Sequence, residues 1–379
     1  MSAPTPMSRA CTSFPLTEFG DDRQTDSPLT PDRNENKRAT RTVREYDARM
    51  RHGGRVLGSV AVIAAALLAT AACGSGGSDS DSNPATSSPS IQPGTLIPDS
   101  TPRDEAAFLG PARLVPVNGI EIGYRQVGAG RPLLLIMGFS GTMGMWQYEF
   151  VQGLVDAGFQ VTMFDNRGMG YSTDDDSQPL TMQLMAADTA ALTRELRLDR
   201  PTVVGWSMGG EIALTMAVLH PEAAGAIVTS GGDAGSRHYV PPSERVLKIL
   251  GDPTGDVSQL MGLLFPKSQS AASNAFVRSI MLYPQQQPSA EAIQRQLSAE
   301  DAFSEYSGTW DGLPSIGVPV LVQNGALDEV TRPINAQRVS ARIPGADRVI
   351  FDDAAHGSLF QDIPQFVGLV RRTADSASR

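Results

Sequence analysis

The order of apolar and polar positions separates a patterned region of the chain from an unpatterned one. From about residue 114 to about residue 370, short apolar runs typical of buried strands alternate with segments whose apolar residues recur every three or four positions, as on one face of a helix. The runs predict about eight strands, at 114–117, 120–124, 133–136, 161–164, 202–204, 226–229, 320–322 and 348–351. Helices are predicted at 146–157, 182–196, 211–220, 334–342 and 363–371. This alternation indicates an α/β domain with a mainly parallel sheet, flanked by helices and binding ligands at the carboxyl ends of its strands.

The alternation is interrupted once, after the sixth predicted strand. Between about residues 233 and 312 the strand pattern stops, and helical segments are predicted at 246–250, 260–265, 274–282 and 291–297. An insertion at this point lies near the carboxyl ends of the strands. It is therefore predicted to form a helical cap that shapes a pocket and excludes water.

Residues 50–73 have the pattern of a secretory signal. Arg51 and Arg55 precede an Ala-rich apolar run that is short for a membrane span, and small residues and Cys73 follow it. The segment resembles a bacterial lipoprotein signal peptide, in which the cysteine is lipidated and becomes the mature N-terminus, although Thr70 stands where leucine is usual. We expect an extracytoplasmic protein held at the cell membrane by a lipid anchor on Cys73; plain secretion is the alternative.

The segments on either side of this signal are predicted to lie outside the folded domain. Residues 1–49 are polar, and we expect them to be disordered or an extension of the gene prediction, with translation starting at Met50. Residues 74–105 are rich in Gly, Ser, Asp, Pro and Thr and are predicted to form a flexible linker. The domain itself is assigned to residues 106–379.

Charge and cysteine content exclude some classes of function. With 31 Lys and Arg against 41 Asp and Glu, the net charge is −10, and the folded part carries no basic patch that would indicate nucleic-acid binding. The only cysteines are Cys11 and Cys73, so lipidation of Cys73 leaves no disulfide. No motif predicts a metal or a cofactor, and the oligomeric state is left open.

A nucleophile elbow is predicted between the strand at 202–204 and the helix at 211–220. The sequence there is Gly205-Trp-Ser207-Met-Gly209, in the strand–turn–helix context that such an elbow requires. The turn is too tight for side chains beside the nucleophile, so both flanking positions need glycine. Ser207 is therefore the predicted nucleophile; a glycine-rich structural turn is the alternative.

A serine nucleophile needs a general base, and the chain contains four histidines. His52 lies in the signal segment, His220 ends the helix after the elbow, and His238 begins the cap, where we expect it to be exposed. His356 alone follows the last predicted strand, in a loop where catalytic residues are found. We predict His356 as the base.

The acid that orients this base is expected between Ser207 and His356 in the chain. Asp328, just after the strand at 320–322, is the preferred candidate, and Asp233, after the preceding strand, is its rival.

Two backbone N–H groups are predicted to form an oxyanion hole. One belongs to Met208, at the start of the helix that follows the nucleophile. The other is expected in the loop after the strand at 133–136, and we assign it to Phe139.

Taken together, these residues resemble the α/β-hydrolase superfamily, a broad group of esterases, lactonases, peptidases and perhydrolases. The resemblance covers about residues 114–370. Its markers are the loop at 137–141 with Trp146 downstream, the 165–172 segment, the Ser207 elbow, the loop from Gly325 to Asp328, and His356. One departure is Met137, where many relatives have histidine.

The resemblance implies the α/β-hydrolase fold and an acyl-enzyme mechanism without a cofactor. Ser207 attacks a carbonyl, His356 moves the proton, and Asp328 holds the imidazole. Methionines near the predicted active-site loops suit a tolerant apolar pocket, and core packing is the alternative for several of them. We expect a carboxylesterase acting on small-molecule esters or lipids. A perhydrolase or haloperoxidase-like enzyme and a lactonase are the enzymatic alternatives, and a binding lipoprotein on a hydrolase scaffold is the non-enzymatic one.

Overall fold

The protein is described from a computed structural model, which covers residues 95–96, 108–250, 256–282 and 288–377. The predictions for residues 1–49, for the signal at 50–73 with Cys73, and for most of the linker at 74–105 lie outside the described residues. Within the described ranges, no helix has both the length and the apolar character that crossing a bilayer requires.

A single nine-stranded sheet forms the centre of the domain. Its strands are β1 (Thr95–Leu96), β2 (Arg113–Val117), β3 (Ile120–Val127), β4 (Arg131–Ile136), β5 (Phe159–Phe164), β6 (Thr202–Trp206), β7 (Ala226–Ser230), β8 (Val320–Gly325) and β9 (Asp347–Phe351). They lie in the order β1-β2-β3-β5-β4-β6-β7-β8-β9. The six neighbouring strands β5, β4, β6, β7, β8 and β9 are parallel to one another, and β1, β2 and β3 are antiparallel to their neighbours.

The predicted α/β fold with a mainly parallel sheet is confirmed. All the predicted strands are present, with ends that differ by three residues or fewer. The extra strand β1 lies within the segment predicted as a linker, where Thr95–Leu96 pairs with the free edge of β2.

Helices cover both faces of the sheet, as the alternating side chains of β4 require. Leu134 and Ile136 belong to one apolar cluster, and Leu133 and Leu135 belong to the other. The first cluster includes residues of α2 (Met182–Glu195), α3 (Met208–Leu219) and α9 (Pro333–Arg342), and the second includes residues of α1 (Tyr148–Asp156) and α10 (Ile363–Ala377).

The insertion between β7 and β8 is helical, as predicted. Its helices are α4 (Glu244–Leu250), α5 (Val257–Leu264), α6 (Ser270–Leu282), α7 (Ala290–Glu305) and α8 (Gly308–Gly312). The main difference from the prediction is the length of α7, which was expected to end at residue 297. Ala299 and Phe303 continue its buried face, but the polar residues between them conceal the apolar period.

The strand order creates a crevice where β4 and β6 lie side by side. The chain leaves β4 towards β5 on one side, whereas β6 begins the series of strands on the other side. Loops that leave two neighbouring parallel strands in opposite directions open a cleft at the carboxyl ends. The loop after β4 and the elbow after β6 therefore face each other across this cleft.

Candidate active site

The turn after β6 holds Ser207 in a strained backbone conformation. Its φ is 55° and its ψ is −125°, and its N–H donates to the Ser230 carbonyl oxygen at 2.8 Å. A Cβ on Gly205 would overlap the backbone of Gly209, and a Cβ on Gly209 would overlap the Ile136 carbonyl group. Both elbow glycines are therefore required by close backbone approaches, as the sequence predicts.

The structure brings Ser207, His356 and Asp328 together in one chain of hydrogen bonds. The His356 Nε2 lies 2.9 Å from the Ser207 Oγ, and the His356 Nδ1 lies 2.9 Å from the Asp328 Oδ2. His356 is 4% exposed and Asp328 is 3% exposed. The other oxygen of Asp328, Oδ1, accepts the N–H groups of Val330 and Thr331 at 2.8 and 2.9 Å, which fixes the carboxylate towards the imidazole.

The rival acid, Asp233, has different partners. Its Oδ1 accepts the Gly235 N–H at 2.6 Å, and its carboxyl group interacts with that of Glu211, which lies in the first turn of α3. Burial raises the pKa of Asp233 to about 6. Burial, followed by the neighbouring acids Glu300 and Asp233, raises the pKa of Glu211 well above 4.5.

Glu300, which is half-buried on the cap helix α7, completes a carboxyl cluster with the buried Glu211 and Asp233. Burial and the nearby Asp233 charge raise its pKa to about 8. Sequence reasoning missed this cluster. A usable sign was present, because Glu211 is the only charged residue in α3, a helix that is otherwise apolar or small.

The loop after β4 lies directly against the nucleophile. A Cβ on Gly138 would come within 3.0 Å of the Trp206 carbonyl oxygen and 3.1 Å of the Ser207 Cβ. Of the two residues predicted to donate backbone N–H groups, Met208 directly follows Ser207, and Phe139 directly follows Gly138, the loop residue that lies against Ser207. Phe139 is half-buried and Met208 is fully buried.

Residues after β5 hold the two ends of this loop. Asn166 Nδ2 donates to the Met137 carbonyl oxygen at 3.1 Å, and the Met143 N–H donates to Asp165 Oδ1 at 2.6 Å. Burial raises the pKa of Asp165 to about 6, despite the N–H groups that its carboxylate accepts from Met143 and Tyr171. The segment at 165–172 therefore braces the loop that lies against Ser207.

The loop that carries His356 is joined to the cap. The N–H groups of His356 and Gly357 donate to the carbonyl oxygens of Leu263 and Leu264 at 3.2 and 2.8 Å. These carbonyls end α5, where helical carbonyls lack partners within the helix. From the other side, Trp206 Nε1 donates to the His356 carbonyl oxygen at 2.9 Å.

The other described histidines and the methionines take no part in the hydrogen-bond chain of Ser207, His356 and Asp328. His238, which was expected to be exposed, is half-buried and stacks on Trp310 with a centroid distance of 4.6 Å. His220 caps the end of α3, and His52 lies outside the described residues. Four methionines near the active-site loops pack in the core cluster that contains α1, namely Met137, Met143, Met145 and Met163.

The functional groups of the site are the oxygen and nitrogen atoms that nucleophilic catalysis uses. Among the residues with described positions, no group of three or more His, Cys, Asp or Glu side chains is arranged to hold a metal ion. What the geometry offers instead is a hydroxyl, an imidazole and a carboxylate in sequence, beside backbone N–H groups at a helix start.

The family model for the alpha/beta hydrolase fold matches residues 131–363. The chain belongs to the α/β-hydrolase family. A protein of Mycobacterium tuberculosis named "Putative non-heme bromoperoxidase BpoC" is 28% identical over 251 residues, covering 64% of this chain and 93% of that protein. The proline iminopeptidase of Lacticaseibacillus rhamnosus is 25% identical over 283 residues, covering 67% and 94%.

A solved structure gives the same assignment. The α/β-hydrolase fold protein from Chitinophaga pinensis has a TM-score of 0.60 and 27% identity, covering 70% of this chain and 97% of its own. The relatives of this α/β-hydrolase are enzymes, and the family implies a small-molecule substrate. Their names refer to different reactions, so the reaction of this chain has to be argued from its own site.

Proposed function

We propose that this α/β-hydrolase is a serine hydrolase that cleaves carboxylic esters through an acyl-enzyme intermediate. The observation that carries the proposal is the pair of 2.9 Å contacts that joins Ser207 to His356 and His356 to Asp328. This arrangement is the one in which an imidazole can accept the serine proton while a carboxylate holds its other nitrogen.

In the acylation step, the Ser207 Oγ attacks the ester carbonyl carbon and its proton passes to His356 Nε2. The carbonyl oxygen becomes an oxyanion, which the N–H groups of Met208 and Phe139 stabilise in this proposal. When the tetrahedral intermediate collapses, the C–O bond to the leaving group breaks and His356 protonates the departing alkoxide. The Asp328 carboxylate stabilises the transient imidazolium.

In the deacylation step, His356 Nε2 takes a proton from water and the resulting hydroxide attacks the acyl carbon. The second tetrahedral intermediate releases the carboxylic acid, and the proton returns from His356 to Ser207 Oγ. Asp233 has no role in this scheme because its carboxyl group is engaged by Gly235 and Glu211.

Fluorophosphonate labelling of the purified protein tests the enzyme class. We expect stoichiometric labelling of the wild type, none of Ser207→Ala, and wild-type labelling of Ser298→Ala, which removes an exposed hydroxyl from the cap helix α7. A folded wild-type protein that stays unlabelled would instead support a binding lipoprotein on a hydrolase scaffold. A panel of p-nitrophenyl esters of increasing acyl length then gives the acyl preference, and lactones added to the same panel test the lactonase alternative.

A perhydrolase is the second candidate function. It is favoured by the relative named as a non-heme bromoperoxidase, which matches over 64% of this chain. In that reaction hydrogen peroxide, in place of water, takes the acyl group from Ser207 and leaves as a peracid. Thioethers are readily oxidised, so the methionines of the loop that follows β4, Met137, Met143 and Met145, favour the esterase although they are buried. Appreciable peroxide-dependent halogenation without p-nitrophenyl ester hydrolysis would reverse this choice.

We further propose that the enzyme is extracytoplasmic and anchored to the membrane by a lipid on Cys73. The support is the order of basic residues, apolar run and cysteine in residues 50–73. Wild-type protein is expected in the membrane fraction with a lipid-modified N-terminal peptide, and Cys73→Ser is expected to abolish the modification. Recovery of unmodified, soluble wild-type protein outside the cell would indicate plain secretion, and peptides from before Met50 would contradict the proposed start.

A further inference from the structure

The loop beside Ser207 contains a turn whose conformation is unfavourable for its sequence. The Gly141 N–H donates to the Gly138 carbonyl oxygen at 3.2 Å, which closes a four-residue turn at 138–141. Ser140, at the third position, has a φ of 54°, whereas Phe139 is not among the residues with positive φ. Positive φ at the third position alone is the pattern of a type II turn, which favours glycine there. The chain has serine instead, so something else must stabilise this conformation.

The competing conformation is a type I turn over the same four residues. It gives the third residue a negative φ, which suits serine, and it is reached by turning over the peptide plane between Phe139 and Ser140. That rotation would redirect the Ser140 N–H and the Phe139 carbonyl group. The direction of one N–H therefore distinguishes the observed loop from its alternative.

Gln296 holds this N–H in the observed direction. Its Oε1 accepts the Ser140 N–H at 2.8 Å, and both residues are buried, with exposures of 0% and 3%. A buried backbone N–H is costly to leave without an acceptor, so the contact favours the type II arrangement over the rotated one.

This contact differs from the other anchors of the loop because it comes from the cap. Asn166 and Asp165 hold the two ends of the loop from the core, whereas Gln296 lies on α7 and holds its middle. Gln296 Nε2 makes no hydrogen bond within the described part of the chain. A residue needed only to fill this space would be better served by an apolar side chain of the same length, such as methionine.

We propose that Gln296 is a positioning residue of the oxyanion hole: by fixing the Phe139–Ser140 peptide, the cap holds in place the turn at 138–141, which also carries the Phe139 N–H of the preceding peptide beside Ser207. The inference rests on the proposed serine hydrolase function. It makes the helical cap a contributor to transition-state stabilisation.

The kinetic test compares Gln296→Met with Gln294→Met in hydrolysis of p-nitrophenyl esters. The first exchange removes the acceptor and keeps the side-chain length, and the second makes the same chemical change two positions away on α7. Deleting an oxyanion donor lowers kcat by about 10²- to 10³-fold. Because Gln296→Met only misplaces such a donor, we expect kcat to fall about 10- to 100-fold with KM within about threefold of the wild type. Gln294→Met should keep wild-type values.

A second variant separates this role from a general structural one. Glycine adopts positive φ without a steric penalty, so Ser140→Gly introduced into Gln296→Met should recover several-fold in kcat relative to Gln296→Met alone. Absence of any recovery would contradict selection of the turn by Gln296. A kcat of Gln296→Met within about twofold of the wild type, or an equal loss in Gln294→Met, would overturn the proposal.

Hydrogen–deuterium exchange provides a readout that does not depend on activity. The peptide that contains residues 138–145 should exchange faster in Gln296→Met than in the wild type, with the melting temperature of both within a few degrees, and Gln294→Met should match the wild type. Unchanged exchange would overturn the positioning role. A wild-type protein that neither hydrolyses esters nor reacts with a fluorophosphonate would overturn the proposed function instead, while the exchange result would still decide whether Gln296 orders the loop.

Discussion

Replacing the Asp328 carboxylate by an amide tests the proposed catalytic chain at its most specific contact. In the wild type, the His356 Nδ1–H donates a hydrogen bond to the Asp328 Oδ2 carboxylate oxygen, which leaves the lone pair of Nε2 directed at Ser207. Asp328→Asn can place an N–H₂ group at that position, which donates to Nδ1 and moves the imidazole proton to Nε2. The imidazole then faces Ser207 with a hydrogen instead of a lone pair, and it cannot accept the serine proton.

The expected loss is large in catalysis and small in stability. The same change in a Ser-His-Asp triad lowers kcat about 10⁴-fold, which corresponds to about 5.5 kcal/mol of transition-state stabilisation. Asparagine keeps the Oδ1 that accepts the Val330 and Thr331 N–H groups, so the loop conformation is retained. Asp328→Ala would lose the hydrogen bonds from both N–H groups, which would lower the free energy of unfolding by about 1 kcal/mol or more each. Its loss of activity could then not be separated from misfolding.

The control is Asp233→Asn, the same exchange in the buried rival residue. Its Oδ1 contact with the Gly235 N–H can also be kept by an amide. We expect its kcat with p-nitrophenyl butyrate to remain within a few-fold of the wild type, with Asp328→Asn reduced by three to four orders of magnitude. Equal activity of Asp328→Asn and wild type, or inactivation by Asp233→Asn alone, would refute the assignment of Asp328 as the acid.

Four further outcomes follow from the packing and from the buried charges. Gly209→Ala should abolish soluble expression because its Cβ would overlap the carbonyl group at the end of β4. Gly262→Ala should raise the free energy of unfolding by about 0.5–1 kcal/mol, because Gly262 lies in α5 and no atom is within 4 Å of the new Cβ. Burial raises the pKa of Glu211, so above about pH 4.5 the folded state still binds a proton that the unfolded chain has released. The melting temperature should therefore fall as the pH rises above about 4.5. It should fall less in Glu211→Gln, which has no proton to lose at this position. In the wild type, the Arg167 guanidinium pairs with Asp188 at 2.8 Å, and the exposures of the two side chains are 0% and 3%. Asp188→Ala leaves this guanidinium buried without its partner and should lower the free energy of unfolding by about 3–5 kcal/mol in chemical denaturation. A loss below about 1 kcal/mol would contradict this account.

Local patterns were sufficient for the sheet and for the steric requirement of the tight turn at Ser207. Continuous apolar runs such as 133–136 predict strands buried on both faces, and parallel strands bring their carboxyl ends to one edge without further information. Gly205 and Gly209 are readable because a tight turn imposes a steric requirement within five residues. His356 and Asp328 were predicted from chain order and from their positions after strands, and the structure places both beside Ser207.

Contacts between distant segments could not be read in the same way. The bond from Ser140 to Gln296 joins residues 156 positions apart, and the choice of Asp328 over Asp233 depends on which loop turns towards His356. Neither is set by a local period. The carboxyl cluster around Glu211 has the same origin, because it joins Glu211 of α3 to Asp233 and to Glu300 of α7, which are distant in the chain. The full length of α7 was missed because polar residues interrupt its apolar face.

The hydrogen bonds between the end of α5 and the loop of His356 limit how this enzyme can be redesigned. Cap segments are natural targets for exchange between relatives, since they shape the pocket and begin and end in loops. Here the Leu263 and Leu264 carbonyls support the backbone of the residue proposed to transfer every proton in the reaction. A chimaera that replaces this part of the cap would therefore displace the imidazole along with the pocket wall. The turn that ends α5 should therefore be kept from the parent chain.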